Sequence, residues 1–193
     1  MKALMLGLVL SLVSTFAVAE VDVSKLAKKK QTPQGLYMTA KEAYQDKSAN
    51  PQGSLFIDVR TRAELEFVGM TNMVDINIPY MVHDNESWNA KKKHFKSEPN
   101  SNFSIALNDI VEAKGLNKST KIIVMCRSGS RSAKAANLLS QLGYKNVYSV
   151  VDGFEGDKAK SGPSKGHRTV NGWKNAGLPW SYKLTVAKMY FEE

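Results

Sequence analysis

The sequence predicts an α/β protein whose open, mostly parallel sheet is covered by helices on both faces. Short apolar runs alternate along the chain with segments of helical spacing, which is the pattern of successive β-α units. The run at residues 122–125 is apolar at every position, as in a strand buried on both faces of a parallel sheet. A chain of 193 residues is long enough for one such domain and leaves little room for a second.

The predicted elements follow one another in a regular order. Strands are predicted at residues 36–38, 55–59, 74–78, 122–125 and 147–151. Helices are predicted directly after Thr39 and at residues 63–68, 104–114 and 130–142. Thr39 and Thr61 are each followed three residues later by a glutamate, Glu42 and Glu64. This spacing predicts a capping box at the start of the first two helices.

Residues 1–19 have the composition of a secretory signal peptide. A basic start, Lys2, precedes an apolar stretch that ends in Ala-Val-Ala at residues 17–19, a small-x-small cleavage site before Glu20. The stretch is short for a membrane span and polar residues dilute it, so a membrane anchor is the weaker alternative. We expect cleavage after residue 19, export with the periplasm as the destination, and no attachment to a membrane afterwards.

The remaining chain divides into three parts. Residues 20–34 are predicted to form a polar leader, residues 35–182 the folded domain, and residues 183–193 a C-terminal tail. Two segments of the domain, near residues 80–102 and 157–171, are longer than the usual connections within a compact domain. We interpret them as insertions, and their length alone suggests that they rim a functional pocket.

The chain is basic, with a formal net charge of +9, of which Lys2 supplies one. Nucleic acid is not an expected partner of an exported protein. A solvated basic surface is one interpretation of the charge, and a field that attracts small anions is the other. The lysine runs at residues 28–30 and 91–93 are interpreted as exposed charge. The three histidines, His83, His94 and His167, lack metal-ligand spacing and are predicted to lie on exposed loops, so we predict no metal site.

Cys126 is the single cysteine, so the chain has no internal disulfide. It follows the apolar run at 122–125 and begins the segment Cys-Arg-Ser-Gly-Ser-Arg-Ser, which leads directly into a predicted helix. Functional sites of open α/β sheets lie beyond the carboxyl ends of the strands. A loop at a helix N-terminus points backbone N–H groups inward, and the helix dipole adds positive potential. The position therefore predicts a loop that binds anions around the sulfur.

The residues after Cys126 have chemical types that suit this interpretation. Two arginines can stabilise a thiolate, a glycine permits a tight turn, and three serines can donate hydrogen bonds. The predicted loop comprises Arg127, Ser128, Gly129, Ser130, Arg131 and Ser132. A buried structural cysteine is the alternative, because free cysteine packs as a small apolar residue. Such a cysteine does not need a loop of this composition followed at once by a helix.

This loop resembles the active-site loop of the rhodanese superfamily, and the resemblance extends over roughly residues 36–180. Residues 55–60, 64–70, 76–79 and 147–156 are similar to family segments, as are Gly172-Trp173 and residues 177–180. Gly69-Met70 departs from the pair Gly-His that is usual there. Four residues separate Cys126 from Arg131, which is similar to sulfurtransferases, whereas related cysteine phosphatases have five.

The resemblance implies a sulfurtransferase in which Cys126 carries a sulfur atom as a persulfide. The expected partners are a small sulfur-containing anion such as thiosulfate as donor and a thiol or other thiophilic molecule, or a protein, as acceptor. No metal or organic cofactor is implied. A rhodanese-like carrier or partner-binding module that turns over poorly is the first alternative. A cysteine phosphatase or arsenate reductase is the second.

Asp58 and Arg60 follow a strand that should lie beside the strand of Cys126. One interpretation is that they support the loop, with Asp58 accepting hydrogen bonds from an arginine or a loop amide. The other is a helix cap and a surface ion pair. The sequence leaves both interpretations open.

Overall fold

Five parallel strands form the centre of the structure, which is a computed structural model that describes residues 21–191. In chain order they are β1 (Tyr37–Met38), β2 (Leu55–Asp58), β3 (Ile76–Asn77), β6 (Lys121–Met125) and β7 (Asn146–Val150). Their order across the sheet is β1-β7-β6-β2-β3, so β6 lies in the middle. The predicted parallel sheet is confirmed. The predicted signal peptide and its cleavage site lie outside the described residues.

Four α-helices in residues 21–191 cover the two faces of this sheet, as expected. They are α1 (Ala40–Ala49), α2 (Arg62–Val68), α3 (Phe103–Ala113) and α4 (Ser130–Gln141). Helices α1 and α2 pack on one face, and α3 and α4 pack on the other. Both predicted capping boxes are present, one at the start of α1 and one at the start of α2. Within residues 21–191, no helix has the length and apolar character needed to cross a membrane.

The two middle strands show why the sheet is buried on both faces. Ile122 and Val124 of β6 point into the core beneath α3 and α4, whereas Ile123 and Met125 point to the face of α1 and α2. Because side chains alternate along a strand, a run that is apolar at every position supplies both cores at once. This geometry brings the end of β6, and Cys126 after it, to the carboxyl edge of the sheet.

Residues 81–99 form an element that the sequence analysis did not predict. Strands β4 (Met81–Asn89) and β5 (His94–Pro99) pair in an antiparallel hairpin, separate from the main sheet, with an irregularity between Asp84 and Trp88. Most of its side chains are exposed, and Trp88 contacts Phe95 edge-to-face across the strands. With no face in the core, the segment lacks the apolar alternation by which a half-buried strand is recognised in a sequence.

The predicted polar leader packs against the domain. A 3-10 helix, Lys28–Lys30, contacts α4, and Lys30 is buried there rather than exposed. The Lys30 ammonium donates to the carbonyl of Val151 at 2.9 Å and pairs with Asp157 at 2.7 Å. The interpretation of the run 28–30 as exposed charge is therefore wrong for Lys30. Its ammonium is buried and is paired with a carbonyl and a carboxylate inside the fold.

The predicted C-terminal tail runs beside the edge strand β3. The backbone N–H of Tyr190 donates to the carbonyl of Asn77 at 3.1 Å, and the ammonium of Lys188 donates to the carbonyl of Val74 at 2.7 Å. These bonds cover the free edge of β3, which would otherwise expose unpaired backbone groups.

Candidate active site

Cys126 lies directly beyond the carboxyl end of β6, and the residue is 1% exposed. The chain turns through the next three residues into α4, which begins at Ser130. The turn brings the backbone N–H of Gly129 to 3.2 Å from the Cys126 Sγ. An N–H group at a helix N-terminus stabilises negative charge on a nearby atom. The sulfur thus sits where the sequence predicts an anion-binding loop.

Close packing explains the glycine at position 129. Its φ angle is +92°, a value that side-chain-bearing residues rarely adopt, and an added Cβ would lie 2.1 Å from the carbonyl oxygen of Val151. Gly153 supports the loop from behind, since a Cβ there would lie 2.5 Å from the Cys126 carbonyl oxygen. The loop therefore packs closely against the segment that follows β7, and neither glycine could carry a side chain without a clash.

Backbone hydrogen bonds join these two segments. The N–H of Phe154 donates to the Cys126 carbonyl at 2.8 Å, and the N–H of Glu155 donates to the Arg127 carbonyl at 2.9 Å. Both carbonyls are therefore turned toward the segment after β7, and the loop is held on that side by main-chain bonds.

Ser132 lies beneath the loop. It is fully buried, its hydroxyl donates to the Gly129 carbonyl at 3.0 Å, and it accepts from the Ser149 hydroxyl at 3.1 Å. The Cys126 thiol donates to the same hydroxyl at 3.6 Å. Ser132 therefore contacts the sulfur from below and holds the turn, and it is not among the residues that line the cleft above.

The Cys126 sulfur lies at a cleft of about 490 Å³. The cleft is lined by Cys126 and by four predicted loop residues, Arg127, Ser128, Ser130 and Arg131. The other lining residues come from the start of α2 and from the β4–β5 hairpin, together with two further cations; they are Thr61, Glu64, Met81, His83, His94, Ser97, Lys29 and Arg168. The cleft is large enough for an anion well beyond the size of thiosulfate.

Arg131 forms a two-pronged ion pair with Glu64 in this cleft. Its Nη1 donates to Oε2 at 2.6 Å and its Nη2 donates to Oε1 at 2.5 Å. Burial alone would raise the pKa of Glu64, but the hydrogen bonds and charge of Arg131 outweigh it and lower the pKa to about 2. Burial would lower the pKa of Arg131, whereas Glu64 and, more weakly, Cys126 raise it. Glu64 therefore anchors a permanent cation beside the sulfur.

Asp58 and Arg60 form a second ion pair. Both side chains are fully buried, so the alternative prediction of an ion pair on the surface is wrong. Arg60 Nη2 donates to Asp58 Oδ2 at 2.7 Å and to the Gly69 carbonyl at 2.9 Å. Its guanidinium lies 3.9 Å from the centre of the Phe154 ring. Asp58 accepts from an arginine, as the first interpretation expected, although that arginine is its neighbour Arg60. Neither residue lines the cleft. Arg60 contacts Phe154, whose N–H donates to the Cys126 carbonyl, and the charges of the pair also act on the pKa values of Glu64 and Arg131.

The histidines are arranged differently from the prediction. His83 and His94 lie on β4 and β5, not on loops, and although exposed they line the cleft. His167 lies in an exposed loop. Residues 21–191 contain no group of three or more His, Cys, Asp or Glu side chains that could hold a metal ion.

Glu64 is the most important cleft residue that the sequence analysis did not propose for the site. Its spacing from Thr61 predicts a capping box, which is present, and this explained the residue without any further role. Its partner Arg131 is 67 positions away in the chain. Lys29 and Arg168 were not predicted to line the cleft either, because each lies in a polar segment with no sequence feature that points to a site.

Comparisons with known proteins agree with the fold. The family model described as "Rhodanese-like domain" matches residues 39–160. An uncharacterized protein of Rickettsia rickettsii is 33% identical over 129 residues, which is 67% of this chain and 84% of that protein. "Thiosulfate sulfurtransferase 18" of Arabidopsis thaliana is 31% identical over 110 residues, covering 57% and 71%. The crystal structure of Rv0390 from M. tuberculosis is 30% identical with a TM-score of 0.54, covering 76% of this chain and 96% of that one.

Proposed function

This chain belongs to the rhodanese-like family, and on that premise we propose that it transfers a sulfane sulfur from a donor such as thiosulfate to a thiophilic acceptor through a persulfide on Cys126. The observation that supports the proposal is the position of the Cys126 Sγ beneath a cationic cleft, 3.2 Å from the Gly129 N–H. The protein would act after export, as residues 1–19 predict.

The proposed reaction has two covalent steps. The Cys126 thiolate attacks the outer sulfur of thiosulfate, the S–S bond of the donor breaks, and sulfite leaves with the electron pair. The acceptor then attacks the outer sulfur of the Cys126 persulfide, and the electron pair of the broken bond returns to Sγ. This order predicts ping-pong kinetics.

Each loop residue has a role in this scheme that follows from its position. The Gly129 N–H stabilises negative charge on Sγ, both as thiolate and as leaving group. Arg131, held by Glu64, adds positive charge at the cleft wall, while Ser128 and Ser130 offer hydroxyls to the donor's oxygens. Arg127 at the rim is half exposed and attracts an anionic donor.

Intact mass measurement tests the proposal directly. Thiosulfate should add one sulfur atom to the protein, cyanide should remove it, and Cys126→Ser should show neither change. The hydroxyl of serine occupies almost the same volume but cannot hold a sulfane sulfur, so the variant should unfold with the wild-type midpoint. A sulfur added once and released very slowly to every acceptor would favour the carrier module. No added sulfur on the wild-type protein would contradict the proposal.

A further inference from the structure

A second, larger pocket of about 1040 Å³ adjoins the Cys126 cleft, and Lys29, Ser128 and Arg168 line both. We propose that this basic pocket binds the carboxylates of an elongated anionic thiol whose sulfur reaches Cys126 and accepts its sulfane sulfur. The inference rests on the proposed sulfurtransferase function and specifies the class of its acceptor.

The charges that line the second pocket are unbalanced. Its two carboxylates are already paired, Asp22 with Lys25 at 2.8 Å and Asp157 with Lys30 at 2.7 Å. The remaining cations form no direct ion pair within residues 21–191, although Glu155 and Asp157 act on Arg168 from a longer distance; these cations are Lys29, Lys158, Lys160, Lys165 and Arg168. A pocket whose unpaired charges are all positive attracts an anion and disfavours a neutral molecule or a cation.

Arg168 lies where the two pockets meet. Its Nη1 donates to the Gly156 carbonyl at 2.6 Å, which holds the guanidinium in place. Burial lowers the pKa of Arg168 and repulsion from Arg127 lowers it further, whereas Glu155, Asp157 and, more weakly, Cys126 act in the opposite direction. Glu155, 3.9 Å from Arg127, offsets part of this repulsion, and a bound carboxylate at Arg168 would offset more of it, since arginine binds a carboxylate with two hydrogen bonds.

The size and shape of the space indicate an extended molecule. A thiosulfate ion is far smaller than the Cys126 cleft alone, and sites of roughly 300–1,000 Å³ usually hold organic ligands of many atoms. A thiol with its carboxylates several bonds from the sulfur would place the sulfur at Cys126 and the negative charges among the lysines. The N-terminal segment and the 157–171 loop, which line this pocket, would then select the acceptor.

The transfer step is balanced without a further reagent. The acceptor thiolate attacks the outer sulfur of the Cys126 persulfide, and a new S–S bond forms. The bond between that sulfur and Sγ breaks, and its electron pair restores the Cys126 thiolate. The acceptor leaves as a persulfide, so no external oxidant or reductant is consumed.

Two probes of identical thiol chemistry test the pocket: glutathione, which has two carboxylates distant from its sulfur, and its diethyl ester, which has none. With thiosulfate as donor, the wild-type protein should show a higher kcat/KM for glutathione than for the ester. The variant Lys158→Gln/Lys160→Gln/Lys165→Gln should lose about tenfold in kcat/KM for glutathione, since each exposed pair contributes modestly. Its kcat/KM for the ester should change by less than about twofold.

A second triple variant controls for the overall charge. Lys114→Gln/Lys134→Gln/Lys145→Gln removes the same number of exposed lysines from residues that line neither pocket, and it should keep the wild-type preference for glutathione. Equal use of both probes by the wild type, or an equal loss in both triple variants, would overturn the inference. Cyanide as acceptor separates the two proposals, because normal transfer to cyanide keeps the sulfurtransferase function while the acceptor site fails.

Discussion

The pairs Asp58–Arg60 and Glu64–Arg131 are both two-pronged contacts between a guanidinium and a carboxylate, yet they differ in access to solvent. Asp58 and Arg60 have side chains that are 0% exposed, whereas those of Glu64 and Arg131 are 16% and 21% exposed and line the cleft. The first pair is enclosed by the core, and the second faces the space where an anion would bind. The same chemistry therefore supports the fold in one place and shapes the electrostatics of the site in the other.

The enclosed pair should be the more sensitive to loss of one partner. Removing one member of a buried ion pair leaves the other charged and without water, at a cost of about 3–5 kcal/mol. We expect Arg60→Ala to lower the free energy of unfolding by this amount, measured by urea denaturation. Arg60 also lies against the Phe154 ring, so part of the loss comes from packing.

The double variant Asp58→Leu/Arg60→Met is the control for this prediction. Replacing both charges by apolar groups of similar size removes the uncompensated carboxylate, and we expect it to recover part of the lost stability. A cost of less than about 1 kcal/mol for Arg60→Ala would show that the pair behaves like an exposed one.

The contribution of the Glu64–Arg131 pair to the free energy of unfolding should depend on pH. The folded-state pKa of Glu64 is lowered from 4.5 to about 2, so the ionised group stabilises the protein above pH 4.5, and this stabilisation is lost as the pH falls from 4.5 towards 2. We expect Glu64→Gln to lower the free energy of unfolding at neutral pH by up to roughly 3 kcal/mol. The difference from the wild type should shrink as the pH approaches 2.

Urea denaturation at several pH values measures this difference, and sulfur transfer at neutral pH provides a second readout. Because Glu64 holds Arg131 at the cleft, Glu64→Gln should also slow persulfide formation. Arg60→Ala, measured well below its unfolding midpoint, should affect this rate less. A constant stability difference across the acid range would contradict the assigned role of Glu64.

The smallest effect is expected when the charge stays and only the geometry changes. Lysine cannot make the two parallel hydrogen bonds of Arg131, so Arg131→Lys should cost about 1 kcal/mol of stability and reduce kcat/KM for thiosulfate several-fold. Arg127→Lys is the matched control, since Arg127 is 47% exposed and 3.9 Å from Glu155. It should change stability by less than about 0.5 kcal/mol. Equal effects of Arg131→Lys and Arg127→Lys on stability and on kcat/KM would contradict a special role for the two hydrogen bonds between Arg131 and Glu64.

Much of the fold follows from patterns that are local in the sequence. The apolar run at residues 122–125 identifies the central strand, because a strand covered on both faces needs apolar side chains at every position. The capping boxes at Thr39 and Thr61 are equally local, since both partners lie within one helical turn. The hairpin at residues 81–99 was missed for the complementary reason: both of its faces are largely exposed, so no apolar period marks its strands.

The amino-acid sequence alone predicts that Cys126 follows a buried strand and begins a loop of Gly, Ser and Arg residues before a helix. Folding brings together groups that are distant in the chain: Glu64 with Arg131, Lys30 with Asp157, and Arg168 with the Cys126 cleft. Glu64 shows the reason, because one oxygen accepts from the Thr61 N–H three residues away and also from Arg131 across the fold. A hydrogen bond within one helical turn can be predicted from the spacing of its two residues. An ion pair between residues on separate elements cannot, because it depends on how those elements pack.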